Sequence, residues 1–390
     1  MTTTQTEFDV LQSEMESRGA AGVIERVADQ LREKKRYGEL FEALKMQTRQ
    51  QIGLPLLDSD VEDDLDDETH KQLEKGLLDA CREVGSALLR DGNIREGWMY
   101  LRPVGERNAV AQVLADVEAN EDNIDEMVEV CLHEGVDPER GFRLVLDNYG
   151  TCNAITTFES AMHQRQPEEQ QAAAAMLVDH LHHELLLSVK ADIQQNEGQE
   201  PPENSLKELV TDREWLFGEH RYHLDTTHLA STTRFARLLS DEPHLRLALD
   251  MTEYGRRLHD QFQYQGDEPF AEIYPSHALY FKALLGEDVE DALAFFREKA
   301  TSVDQDEFGR NAVEVYIDLL ARLGRYPEAI AASINLTPPG TQPMGHAPSL
   351  LELSQQAGQF DQLLRFCRDR DDLLGFAAAL VQTQPDGEGA

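Results

Sequence analysis

Apolar residues recur at helical spacing along most of this chain, and strict alternation of apolar and polar residues is not found in any stretch. Residues 8–35 form an apolar stripe with a break at Gly19–Gly22, and residues 37–52 form a second stripe that ends before Gly53. Residues 158–194 read as mainly one long helix. The pattern therefore predicts an all-α protein.

Breaker residues divide the helical pattern into segments. A hairpin over 69–117 turns at Asp91–Gly92, a second helix pair over 119–149 splits at 135–138, and the breaker-rich loop 195–204 is the expected domain boundary. The segments are an N-terminal helical hairpin (1–55), an acidic linker (56–68), a helical region (69–194), a loop (195–204), a histidine-rich helical region (205–275), repeated hairpins (276–383) and a flexible tail (384–390).

Three predicted hairpins share one turn pattern, in which a helix ends at a glycine and a second helix follows within a few residues. The glycines are Gly286, Gly324 and Gly358, at spacings of 38 and 34 residues. The clearest copy is ARLGRYPEAIAAS, residues 321–333, in which Ala329 follows the turn glycine by five residues. A small side chain there lets the two helices of the hairpin approach closely.

This pattern resembles the tetratricopeptide repeat, whose period is 34 residues. The resemblance covers residues 276–370 and implies an α-solenoid or α–α superhelix of stacked hairpins, with an irregular helical middle between 140 and 270. It also implies a concave face that binds peptides or partner proteins. Two copies depart from the pattern, since Leu363 replaces the small residue and one extra residue precedes Ala292. Two fainter copies of the turn pattern occur earlier in the chain. One has its turn glycine at Gly92 and a small residue, Gly97, five residues later; the other has Lys35 at the glycine position.

The net charge of −38, from 74 acidic and 36 basic residues, disfavours binding to nucleic acid or to anionic membranes. It suits a cationic partner or metal ions, but the simpler interpretation is a solvated surface that maintains solubility. The first residues, MTTTQTEFDV, lack the features of a secretory signal, and no run reaches the roughly 18 apolar residues of a membrane span. The sequence therefore predicts a cytoplasmic protein. Its four cysteines are far apart, which disfavours disulfides and a thiolate zinc site.

Histidines are concentrated between residues 176 and 280, in three short strings. Imidazole and carboxylate groups are typical ligands of Zn, Fe or Mn, so these strings supply candidate metal ligands. The candidates are His180, His183 and Glu184 in the first string, His220, His223, Asp225 and His228 in the second, and Glu272 and His277 in the third. Neither HExxH nor HxxEH is present.

Each string also has a purely structural interpretation. The first is an amphipathic helix with histidines on its flank. In the second, Asp225 is the N-cap of a helix over 229–239. In the third, Pro275 and Ser276 begin a helix that carries His277 on the surface. Cys152, in a small polar stretch, is either a buried thiol at a turn or a nucleophile that needs a nearby base.

The acidic linker invites comparison with a calcium loop, because Asp58, Asp60 and Glu62 stand at alternate positions. The comparison fails, since Asp63 replaces the required glycine and Thr69 replaces the bidentate glutamate. Phosphate-loop, dinucleotide and GxSxG motifs are missing as well.

Two functional hypotheses remain. The first is a scaffold that binds a protein or peptide, with Tyr222, Arg234, Tyr274 and Tyr280 as candidate groove residues. The second is a metal-dependent enzyme with a histidine and carboxylate site in the 180–277 region.

Overall fold

The computed structural model describes residues 7–57, 65–337, 345 and 347–383. These residues form helices and connecting turns, and their only β-type pairing is one isolated antiparallel bridge between Gln265 and Glu272. The predicted all-α class is confirmed. None of the described helices combines the length and the apolar character that crossing a membrane requires. Most of the acidic linker and the tail, with the calcium-loop comparison, lie outside the described residues.

The chain divides into two compact units, Met1–Ala161 and Met162–Ala390. The helices of the first unit are α1 (Glu7–Glu33), α2 (Tyr37–Gln51), α3 (Asp67–Arg90), α4 (Ile94–Leu101), α5 (Arg107–Ala115), α6 (Ile124–Val128, continued as a π-helical turn over Glu129–His133) and α7 (Pro138–Ser160). From α1 to α4, each helix packs against the next in sequence. The expected break in the first helix is confirmed, because Gly19 leaves the helical conformation with a φ of 69°.

The helices of the second unit are α8 (Pro167–Glu197), α9 (Leu206–Val210), α10 (Thr226–Phe235), α11 (Glu242–Gly255), α12 (Ile273–Leu284), α13 (Val289–Ser302), α14 (Gln305–Phe308), α15 (Asn311–Arg322), α16 (Tyr326–Leu336), α17 (Leu350–Ala357), α18 (Asp361–Asp369) and α19 (Leu373–Gln382). The long helix α8 packs against α10 and α11, which follow it. Loop 195–204 therefore lies inside this unit, whereas the division between the units follows Ala161.

One turn motif closes six of the helical hairpins. In each, a residue with positive φ follows the first helix, and the next residue donates its N–H to a carbonyl five residues earlier, which satisfies the helix C-terminus. The six residues with positive φ are Lys35, Gly92, Gly286, Gly324, Gly358 and Asp371. Five of these turns are anticipated by the sequence pattern. The sixth, at Asp371, is not, because it lacks the glycine on which the pattern depends.

The position five residues after Gly324 and after Gly358 faces the partner helix, as the pattern predicts. Ala329 is fully buried between α15 and α16, and Leu363 is buried in the cluster that holds α18. In the turn at Gly286 the extra residue is absorbed by Asp288, which adopts a second left-handed conformation with a φ of 50°. Ala292 therefore reaches the same buried position six residues after its glycine.

Candidate functional site

The first histidine string lies on the exposed side of α8. His180, His183 and Glu184 are exposed, and the closest approach between His180 Nε2 and Glu184 Oε2 is 4.0 Å. The apolar stripe beside them is fully buried, as expected for a helix with histidines on its flank. That stripe consists of Leu177, Leu181, Leu185 and Val189.

In the second string, Asp225 is the N-cap of α10. Its Oδ1 accepts hydrogen bonds from the backbone N–H of Thr227, at 2.8 Å, and of His228, at 3.2 Å. Hydrogen bonding, first of all from the Thr227 hydroxyl, lowers the pKa of Asp225. This carboxylate therefore stabilises the start of a helix. His220 is exposed and His228 is half-buried.

The capping role gives a direct prediction. We expect Asp225→Ala to lower the free energy of unfolding by about 1 kcal/mol, because two backbone N–H groups lose their acceptor, and Asp225→Asn to retain most of the stability. Urea unfolding followed by tryptophan fluorescence measures both variants. An Asn variant as unstable as the Ala variant would contradict the capping role.

His223 connects two helices through its ring. Its Nε2 lies 3.0 Å from Asp192 Oδ2 at the end of α8, and its Nδ1 lies 2.8 Å from the Tyr254 hydroxyl on α11. The Tyr254 oxygen also accepts the backbone N–H of His223 at 3.0 Å. Every group is satisfied if Nε2–H donates to the carboxylate and the Tyr254 hydroxyl donates to Nδ1. The network therefore fixes the segment before α10 to the helices beneath it.

Burial sets the protonation of this network. It lowers the pKa of His223, and the neighbouring Asp192 offsets only part of that effect. Burial also raises the pKa of the Tyr254 hydroxyl. The neutral imidazole between a carboxylate and a neutral phenol matches this hydrogen-bond pattern.

The third string contains the clearest departure from expectation. His277 is not a surface residue, since only 1% of it is exposed, and α12 begins at Ile273 rather than at Ser276. The His277 ring stacks on Phe270 with 4.1 Å between ring centroids, and the Arg237 guanidinium lies 4.7 Å from the centroid of the same phenyl ring. The prediction of a surface histidine is wrong because α12 is apolar around most of its circumference and packs against α10, α11 and α13.

The protonation of His277 follows from these contacts. Its Nδ1–H donates to the Ile273 carbonyl at 2.6 Å, and its buried Nε2 has no hydrogen-bond partner within the described residues. Burial, with smaller contributions from Arg237 and Arg234, holds the pKa of His277 well below its usual range. The ring is therefore neutral.

Two predicted groove residues belong to the core. Tyr274 is fully buried, and Tyr280 is 2% exposed, so neither lines a surface groove. The Tyr280 hydroxyl donates to Asp318 Oδ2 at 2.7 Å and accepts from Arg322 at 3.1 Å, which links α12 to α15. The sequence prediction is wrong here because both rings are enclosed by the protein; the Tyr280 hydroxyl is hydrogen-bonded there, and the Tyr274 hydroxyl has no hydrogen-bond partner within the described residues. Tyr222 and Arg234 are exposed, and their assignment to a binding surface stays a prediction.

Three of the nine predicted metal ligands have other roles in the structure. Asp225 caps a helix, both ring nitrogens of His223 are hydrogen-bonded, and His277 lies in the aromatic core. Glu272 is exposed beside the start of α12. Within the residues that the structure describes, no group of three or more His, Cys, Asp or Glu side chains is arranged to hold a metal ion.

Two connections of the second unit meet and form an aromatic surface, here called the loop face (residues 211–225 and 256–272). The rings of Tyr222 and Phe262 pack edge to face with 5.0 Å between centroids. The Tyr264 hydroxyl is hydrogen-bonded to the Thr226 hydroxyl at 2.9 Å, and the Gln261 side-chain N–H donates to the Glu219 backbone carbonyl. Of the two tyrosines, Tyr222 is 54% exposed and Tyr264 is 39% exposed.

The loop face is held in place by partly buried hydrogen bonds. The Gln263 side-chain nitrogen donates to the carbonyls of Gly255, at 3.0 Å, and Leu258, at 2.9 Å, while the His223 network anchors the other connection. Arg257 donates to the Val210 carbonyl at 2.7 Å. The exposed aromatic rings therefore stand on a backbone that is fixed before any partner binds.

The charge of the loop face is negative, with eight Asp or Glu residues and four arginines. Each arginine forms an ion pair with a carboxylate, as shown by Arg221 with Asp192 at 3.0 Å and Arg257 with Glu214 at 2.7 Å; the others are Arg213 with Glu197 and Arg256 with Glu253. By contrast, Glu219, Asp260 and Asp267 are exposed and form no ion pair within the described part of the chain. The surface therefore attracts positive charge.

Sequence reasoning singled out Tyr222 but missed its neighbours Phe262 and Tyr264. Their signal is the string Gln261–Gln265, in which aromatic residues alternate with glutamine inside a connection between helices. Exposed aromatic residues on a loop are characteristic of recognition surfaces.

No protein-family model matches this chain, and neither the curated proteins nor the solved structures include a significant match. The function is therefore inferred from the geometry and chemistry of the chain itself.

Proposed function

We propose that this protein is a cytoplasmic helical-repeat scaffold that binds a basic segment of a partner protein at its loop face. The observation that carries the proposal is the aromatic cluster of the exposed Tyr222 and Tyr264 and the half-buried Phe262, held on fixed loops among unpaired carboxylates. Tyrosine offers a large apolar contact area together with a polar end, which is why it is enriched in interfaces.

The chemistry of the partner follows from the surface. An arginine or lysine of the partner can lie over the exposed face of Tyr222, and its charge is attracted by Glu219 and Asp260. Arginines of the protein already make such contacts nearby, with Arg221 5.2 Å from the Trp215 ring centroid and Arg257 4.2 Å from that of Phe217. A segment that combines basic and apolar side chains fits both features.

The repeat part of the proposal is supported by the six hairpin turns that share one motif. In the second unit, α13 packs against α15, α15 against α16, and α16 against α17, so contacts run mainly between helices close in sequence. This is the packing expected of a tetratricopeptide-like stack, in which each hairpin supports the next. We propose that the stack holds the loop face rigid.

The binding proposal is tested with synthetic peptides. An array of twelve-residue peptides identifies a binding sequence; its peptides contain Arg or Lys beside apolar residues, and acidic counterparts are included. The binding peptide is then labelled, and the protein is titrated into it while fluorescence anisotropy is measured. We expect Tyr222→Ala to weaken binding about tenfold, because the central aromatic contact is lost. Raising the salt concentration should also weaken binding, because it screens the charges.

The matched control is Tyr149→Ala in the first unit, since Tyr149 is 39% exposed and carries the same ring. We expect it to leave the affinity unchanged. Equal losses for the two variants, or equal binding of acidic peptides, would contradict the proposal.

The alternative, a metal-dependent enzyme, would need several of the nine candidate ligands to leave their present partners. His223 would lose hydrogen bonds to Asp192 and Tyr254, and Asp225 would lose its helix cap. No observed contact favours that rearrangement, so the binding scaffold is the function proposed.

A further inference from the structure

The last described helix, α19, carries an exposed apolar stripe. Leu373, Leu374, Leu380 and Val381 are between 50% and 83% exposed, and Ala377 lies exposed between them. These five residues recur at intervals of three and four, so they lie on one face of the helix. Here they are called the α19 stripe.

The α19 stripe lies away from the core of its own chain. The other side of the helix packs against α17 and α18, where Ala379 is fully buried and Phe376 contacts the cluster of Leu363 and Cys367. Because α19 is apolar on both sides, it has the composition of a buried helix although one side faces solvent. An apolar face of this kind marks an interaction surface.

The α19 stripe is symmetric about its centre, and we propose that it binds a second copy of this chain through an antiparallel pair of α19 helices. Leu373 and Val381 each lie four residues from Ala377, and Leu374 and Leu380 each lie three residues from it. With a two-fold axis at Ala377, Leu373 meets Val381 of the partner subunit and Leu374 meets Leu380 of the partner subunit. The small Ala377 lets the two helices approach closely at the axis. Such self-complementarity is what a two-fold interface requires.

The absence of charged residues on α19 also favours a second copy of this chain as the partner. Two copies that each carry a net charge of −38 repel each other, so they associate best where the surface has no charge. Residues 373–383 contain no Asp, Glu, Lys or Arg, and α19 is the only described helix of eight or more residues without one. An antiparallel pair also places each helix N-terminus beside the opposite C-terminus, which aligns the helix dipoles favourably.

The seven residues printed after the helix are unlike an apolar cover for the α19 stripe. Residues 384–390 read QPDGEGA, which includes two carboxylates and no large apolar side chain. One helix stripe is smaller than the roughly 800 Å² per partner of a standard interface, so we expect a dimer that dissociates in the micromolar range. This inference does not rest on the proposed function.

Sedimentation velocity over a concentration series of the full chain tests the proposal. We expect a monomer–dimer equilibrium that higher salt strengthens, since salt screens the repulsion between acidic copies. Leu374→Glu, at a site that is 83% exposed, should weaken the dimer on the order of 100-fold, because the change occurs in both copies. A chain that stays monomeric at every concentration, or a dimer that Leu374→Glu leaves intact, would overturn the proposal.

Cross-linking tests the position of the axis. In a Cys152→Ser background, which removes the exposed native thiol, Ala377→Cys should form a disulfide with its own copy under mild oxidation. Gln382→Cys lies roughly 140° around the helix from Ala377 and should not. Equal cross-linking of the two variants, or none with Ala377→Cys, would place the contact elsewhere and reject the antiparallel pair.

Discussion

Replacing Gly97 by alanine is expected to lower the free energy of unfolding of the first unit by about 2 kcal/mol or more. Gly97 on α4 faces Gly85 on α3, and a Cβ atom at Gly97 would stand 2.9 Å from the Gly85 carbonyl oxygen and 2.8 Å from a methyl carbon of Leu89. The carbonyl belongs to the backbone of a helix and cannot move aside without separating α3 from α4. The loss should exceed the gain in helix propensity that alanine brings.

The measurement is urea unfolding followed by the fluorescence of Trp98, which lies next to Gly97, in a Trp215→Phe background that leaves one tryptophan. Gly38→Ala is the matched control, because Gly38 is exposed on α2 and a Cβ atom there meets nothing within 4 Å. We expect the control to be neutral or stabilised by up to about 1 kcal/mol. Similar stabilities for the two variants would show that α3 and α4 are not in close contact at this glycine pair.

Acid should destabilise the second unit steeply below the pKa of an unfolded histidine, about 6.5. The folded state holds His277 neutral because burial, with Arg237 and Arg234, keeps its pKa well below the usual range. The unfolded chain therefore binds a proton that the folded chain does not, and stability falls as the pH falls. The contribution of His277 is full above pH 6.5 and is lost at about 1.4 kcal/mol per pH unit below it. His223, whose pKa is also lowered by burial, adds a loss of the same sign over a narrower range.

Substitution of His277 isolates its share of this effect. We expect His277→Leu to remove about one proton from the dependence of unfolding free energy on pH between 6.5 and 5, because leucine does not titrate. The exposed His220→Leu is the control and should leave that slope unchanged. Urea unfolding at a series of pH values, followed by Trp215 fluorescence in a Trp98→Phe background, gives the slopes. A slope that His277→Leu does not alter would contradict the buried, neutral state of this ring.

The hairpins were predictable because their signals are local. Helical spacing of apolar residues and a glycine at the turn identify the hairpins at Gly286, Gly324 and Gly358, and all three turns have the expected positive φ. Lys35 and Asp371 adopt the same conformation without glycine. Because neither turn has a glycine, the sequence pattern identifies Lys35 only faintly and does not identify Asp371.

The candidate site was less accessible to sequence reasoning because its contacts are distant along the chain. Asp192 and Tyr254 each lie 31 residues from His223, and no local pattern shows that they meet at one imidazole. Likewise, Tyr222 contacts Phe262 only because two separate connections converge. His277 was misplaced for a related reason, since the burial of a helix face depends on the neighbours that it acquires in three dimensions.

Hydrogen exchange tests the proposed function most directly. Exchange of the whole chain is measured by mass spectrometry, with and without the basic peptide of the array that binds most strongly. We expect the peptide to slow exchange in the two connections of the loop face, at residues 214–224 and 259–265, and to leave α1–α4 unchanged. Protection located in other regions, or no protection at saturating peptide, would contradict recognition of a basic segment by the loop face.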